Sequence, residues 1–129
     1  MSKNVYAAGV VAGVVALIVS GLFGTNGAWG LLLNMTDNPA GRWLIGITAS
    51  VILVTLYEYL DLSKSLPGDS KVRGALYGIL IWVASLIVGL VIPTVGSYAY
   101  AAPQLSTLTL TAATHLIWGF TFGAVLEER

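Results

Sequence analysis

A chain of 129 residues with 57% hydrophobic and only 9% charged residues cannot cover a soluble domain, in which about 25% of residues are charged; its mean hydropathy of +0.85 says the same. Six basic residues balance six acidic ones, so nucleic acid has no electrostatic footing as a partner. The absence of cysteine excludes disulfides, thiolate metal sites and a cysteine nucleophile.

Val5 to Phe23 is the first apolar run. Lys3 ahead of it gives a superficial likeness to a signal peptide, but its length and its glycine and alanine content favour a retained helix. Ala8, Ala12 and Ala16 share one face, and Gly9 and Gly13 form a G-x-x-x-G beside them, the pattern that lets helices pack closely in lipid. Residues 24–42 read as a loop with a turn at Asn38-Pro39. A short interfacial helix around Trp29 and Leu31 to Leu33 fits there. Asn34-Met35-Thr36 matches the N-glycosylation acceptor triplet, which also arises by chance.

Trp43 to Tyr59 is a shorter second span, with Trp43, Tyr57 and Tyr59 expected as interfacial anchors. Glu58 near its end is expected in water or paired with a base. Residues 60–73 carry five charges and the turn Leu66-Pro67-Gly68-Asp69. Gly74 to Ile92 is the third span, closed by Pro93 and carrying Gly74 and Gly78 in a second G-x-x-x-G. After an uncharged loop, Leu105 to Val125 is the fourth span. Stepping by four from Thr107 gives Thr111, His115, Gly119 and Gly123, one polar or small stripe that should face protein rather than lipid.

With four spans, Lys3, Lys64, Lys71, Arg73 and Arg129 fall on one side and only Arg42 on the other. The positive-inside rule then places both termini in the cytoplasm. The expected fold is an all-α integral membrane protein of the cell membrane: one transmembrane domain over 1–129, an antiparallel four-helix bundle with short connections that set successive helices side by side. Sliding the sequence along itself to bring Gly9 onto Gly74 also superposes Gly13 on Gly78, Ser20 on Ser85 and Gly24 on Gly89. That is either a parallel two-helix repeat or a coincidence of glycine-rich helices, because the second and fourth spans do not match convincingly at the same shift.

His115 is the only histidine, and no Cys, Asp or Glu lies at the centre of any span. Metal sites need three or four ligands, a bis-histidine haem within one chain is excluded, and no nucleophile has a base beside it. No cofactor and no enzymatic activity is therefore expected. The residues singled out for helix packing or subunit contact are Gly9, Gly13, Gly74, Gly78, His115, Gly119 and Gly123, with His115 hydrogen-bonded across a helix interface.

Leu66-Pro67-Gly68-Asp69 with Val72-Arg73-Gly74, and the run from His115 to Val125, resemble the central loop and last helix of a group of small four-helix prokaryotic membrane proteins of unknown function. The likeness of layout covers the whole chain, and the two motifs cover a small part of it. Some members of that group are encoded near haem-copper oxidase subunits, so the resemblance implies a respiratory accessory role and supplies no catalytic residue. The expectation is a non-catalytic accessory or structural subunit of a larger membrane complex, a respiratory terminal oxidase being the implied one, with lipid and other transmembrane subunits as partners. The rival is a small transporter or channel whose pathway passes His115, lined by Thr107 and Thr111.

Overall fold

The computed structural model describes residues 4–22, 39–91 and 105–127. Asn34 with its acceptor triplet, the segment around Trp29, Gly24 and the loop 92–104 lie outside the described residues. Within them the chain is all helix, without a strand: α1 (Asn4–Leu22), α2 (Pro39–Tyr59), α3 (Leu62–Ser65), α4 (Ser70–Val91) and α5 (Leu105–Glu127). Among the described residues, three helices are long and apolar enough to cross a membrane, through Val5–Leu22, Ser70–Ile87 and Leu108–Leu126. The apolar part of α2, Trp43–Tyr59, is shorter.

Two helices start earlier than hydropathy predicts, each for a local reason. Pro39 opens α2 rather than turning the chain. At a first helical position its fixed φ is already helical, and its missing N–H is one that a helix start leaves unbonded anyway. At α4, the Asp69 Oδ1 accepts the Val72 N–H at 3.0 Å, the N-cap bond that draws Ser70 to Arg73 into the helix. Gly68 just before it has φ +95°, a left-handed conformation that glycine adopts without strain. The charged connection also holds the short α3, which hydropathy alone does not show.

α1 packs on α2 and α4 packs on α5, each pair antiparallel, and both contacts are made by glycine. A Cβ on Gly9 would lie 2.6 Å from the Val51 Cα, and one on Gly13 2.9 Å from the Ser50 Cβ. Between α4 and α5 the approach is closer still. A Cβ on Gly74 would run into the Gly119 carbonyl, on Gly78 into the His115 carbonyl, on Gly119 into the Gly74 carbonyl, and on Gly123 into the Ser70 carbonyl. The Ser70 hydroxyl also donates to the Gly123 carbonyl at 2.7 Å.

The shift that carries Gly9 onto Gly74 reappears in these contacts. Gly13 meets Ser50 in the first pair and Gly78 meets His115 in the second, so Ser50 and His115 hold equivalent places. Leu17 packs on Gly46, and at the equivalent positions Trp82 donates its indole N–H to Thr111 at 3.0 Å. The remaining contacts do not follow the shift: Gly9 meets Val51, whereas Gly74 meets Gly119 and Gly123 and not Leu116, the equivalent of Val51.

The two pairs do not join symmetrically. α1 also packs closely on α5, whereas α2 and α4, consecutive long helices expected side by side, make almost no close backbone approach. Side-chain size explains the difference. α1 buries Ala8, Ala12 and Ala16 in one core cluster with Trp118, Phe122 and Leu126 of α5. The equivalent positions of α4 are Arg73, Tyr77 and Ile81, which hold it away from α2. Aromatic rings fill that side: Tyr57 and Phe122, equivalent under the same shift, meet at 5.1 Å with planes at 70°. Tyr77 lies 4.9 Å from Tyr57 and 5.8 Å from Phe122, and Trp118 5.0 Å from Phe122. Tyr57 is therefore a core residue and not an interfacial anchor; Trp43 and Tyr59 are exposed.

Candidate functional site

Polar side chains in an apolar bundle must find partners within it, because an unbonded polar group costs free energy. Here they are gathered near the middle of the helices. The Trp118 indole N–H donates to the Ser50 hydroxyl at 2.7 Å, and that hydroxyl donates to the Gly9 carbonyl at 2.7 Å. This two-bond chain ties α5 to α2 and α2 to α1. The Tyr77 hydroxyl donates to the Leu53 carbonyl at 2.8 Å, the bond that spans the loose side between α4 and α2. Thr111 accepts from Trp82 and donates to the Leu108 carbonyl at 3.1 Å, and Thr114 donates to the Leu110 carbonyl at 2.9 Å.

His115 lies in this layer. Its Nδ1 stands 2.8 Å from the Thr111 carbonyl one turn back on its own helix. A carbonyl only accepts, so Nδ1 carries the hydrogen. The Nδ1 bond lies within α5, and the His115 backbone carbonyl meets Gly78 at the α4–α5 contact.

Beside these residues is a cavity of about 40 Å³, lined chiefly by Leu17, Ser50, Leu53, Ile81, His115 and Trp118. All four long helices contribute to it, each from near the middle of its length. Among the described residues, no group of three or more His, Cys, Asp or Glu stands together as a metal site would require.

The residues singled out from sequence fall into two places. Gly9 and Gly13 form the α1–α2 contact; Gly74, Gly78, Gly119 and Gly123, with the His115 backbone, form the α4–α5 contact. These glycine faces, expected to pack inward or against another protein, are filled by helices of this chain. Sequence reasoning missed Trp118 and Tyr77, and read Ser50 only as the small partner of Gly46 four residues before it. Ser50 had one legible signal, since the shift that superposes the glycines also brings it onto His115; Trp118 lies at i+3 from His115 and shares its side of α5.

Removing the Ser50 hydroxyl should be felt at both ends of its chain. We expect Ser50→Ala to lower stability by about 1–2 kcal/mol, since helix-crossing bonds in membranes are each worth about 0.6 to 2 kcal/mol. Thr48→Ala, at an exposed position of the same helix, should change stability little. Reversible unfolding in mixed micelles checks both.

No family model, no curated protein and no solved structure matches this chain.

Proposed function

We propose that the chain is an integral membrane protein of the cell membrane in which all four long helices cross the bilayer with both termini cytoplasmic, and that it serves as a non-catalytic accessory subunit of a larger membrane complex. The observation that carries this reading is what the interior polar groups do. Ser50, Trp118, Tyr77, Trp82, Thr111 and Thr114 each make hydrogen bonds within the chain. They act as ties between and along helices, and that is a structural assignment.

The membrane reading is supported by the outer surface. Val10, Val11 and Ile18 of α1, Leu44 and Ile52 of α2, Leu80 and Ile87 of α4 and Phe120 of α5 are exposed. Such a belt is stable against lipid and a liability in water. A partner would meet these apolar outer faces, because the glycine faces are already occupied. The partner class we propose, a respiratory terminal oxidase, rests on the resemblance of the central loop and last helix alone.

The rival reading sends a solute past His115. It is favoured by the cavity and opposed by the Tyr57, Tyr77, Trp118 and Phe122 rings packed together beside it. Gentle detergent extraction, with identification of what co-purifies, is the deciding experiment. The chain should be recovered with other transmembrane subunits, and His115→Gln should leave that recovery intact. If the purified chain alone moves an ion or solute in liposomes and His115→Gln stops it, the accessory reading is wrong. Cysteine labelling next to Lys71 from the cytoplasmic side only would support the orientation; labelling from outside would overturn it.

A further inference from the structure

The cavity at mid-helix has polar residues on its wall, but most of the surface it presents is apolar. The Ser50 hydroxyl accepts from Trp118 and donates to Gly9, the Trp118 N–H is spent on Ser50, and His115 Nδ1 is held by Thr111. The rest of the wall is Gly13, Leu17, Gly46, Ala49, Leu53 and Ile81. A cavity whose surface is apolar in effect stays dry and takes up small apolar groups. At about 40 Å³ it has room for more than one group of water or methyl size.

Its position says where such a group comes from. The cavity touches α2 and α4, the two helices that do not close on each other, and its wall there is Leu53 and Ile81, both only partly buried. The corresponding side between α1 and α5 is shut by close packing over Ala8, Ala12 and Ala16. On the α2–α4 side the Tyr57, Tyr77 and Phe122 rings and the Tyr77–Leu53 hydrogen bond close the level of Tyr77; among the described residues the cavity's partly buried lateral wall lies one turn along, at Leu53 and Ile81, where helices of this length reach the middle of a bilayer. That is the depth at which lipid chains end.

We propose that the gap between α2 and α4 admits the end of one lipid acyl chain, and that the cavity at Ser50, Ile81 and Trp118 is its seat. This rests on the membrane reading above. The terminal methyl and the carbons next to it match the cavity in size and polarity, and the bilayer around the protein supplies them without any soluble carrier.

Bromine on a lipid chain quenches indole emission only at contact, and Trp118 is 4% exposed while Trp43 is 39% exposed. The test uses full-length chains retaining a single tryptophan, with the other three changed to Phe, in phosphatidylcholine vesicles brominated near the chain end or near the carboxyl. Trp43 reports contact with lipid at all; Trp118 reports the cavity. We expect chain-end bromine to quench Trp118 about as strongly as lipid bromine quenches Trp43. Filling the cavity with Ala49→Leu, or independently with Ile81→Phe, should abolish quenching of Trp118 and leave that of Trp43. Circular dichroism identifies which filled variants are folded. Quenching of Trp43 without Trp118 overturns the acyl-chain seat alone, as does quenching of Trp118 that survives in a folded filled variant. No quenching of either tryptophan overturns the membrane reading and the seat with it.

Discussion

Gly119→Leu should leave no folded bundle to purify, and Gly119→Ala should already cost about 1–3 kcal/mol, the usual penalty for overpacking. The reason is what the new side chain would strike. A Cβ at this position meets the Gly74 carbonyl and lies 3.0 Å from the Ala75 Cα. Both are backbone of a helix, so neither can turn aside as a side-chain tip would. The facing positions compound the effect, since Gly74, Gly78 and Gly123 bring carbonyls and α-carbons to the same line of contact. Moving α4 outward to make room would also break the Trp82–Thr111 and Ser70–Gly123 hydrogen bonds. Phe120→Leu, at the next position along and exposed, is the control and should leave yield and unfolding midpoint unchanged. Equal behaviour of Gly119→Leu and Phe120→Leu in yield of monodisperse protein would show that the close approach of α4 and α5 is not needed.

The glycine contact shows what the sequence made legible. Small residues four apart in an apolar helix mark a line along which another backbone comes near, and those lines lie at helix contacts here. All-helical character was equally plain, because no stretch alternates as a half-buried strand does. Which helices touch was not legible. The answer turns on Ala8, Ala12 and Ala16 against Arg73, Tyr77 and Ile81, and that comparison has meaning only once the two helix pairs are known to be equivalent. The fate of Tyr57 was hidden for a related reason. A tyrosine near a helix end usually sits at the headgroups, but its ring neighbours here, Tyr77 and Phe122, come from α4 and α5, far away along the chain. The helix starts were missed because hydropathy sees Lys71 and Arg73 as a boundary, while the Asp69 cap carries α4 through them.

One layer of the bundle holds both the polar chain and the cavity. Ser50 and His115 occupy matching contacts against Gly13 and Gly78, but the residues around them have diverged. Ser50 is small enough to reach the Gly9 carbonyl of the neighbouring helix. His115 instead turns its Nδ1 to its own helix. Both residues line the cavity, with Leu17, Leu53, Ile81 and Trp118 around them.

Phe122→Ala should be the most damaging change that removes atoms instead of adding them. Phe122 is 0% exposed and stands among Tyr57, Tyr77 and Trp118 with ring centroids 5.0 to 5.8 Å away. All three pairs are edge-to-face, at 70°, 87° and 62°, geometry worth about 0.5–1.5 kcal/mol per pair beyond area burial. In a water-soluble core the truncation costs about 3–5 kcal/mol, part of it the lost transfer from water. Lipid tails are as apolar as the core, so a bundle unfolding within a membrane lacks that part. What is left is dispersion, ring geometry and the void itself, for which we expect about 2–4 kcal/mol. Phe122→Leu should recover more than half of it by refilling the void without the ring edges. The loss should also reach the α2–α4 side, because the Tyr77 ring that Phe122 supports carries the hydroxyl bonded to Leu53. Unfolding measured by denaturant titration in bicelles gives the magnitude. A loss for Phe122→Ala no larger than that for Phe120→Ala would mean that the aromatic cluster does not hold the bundle together.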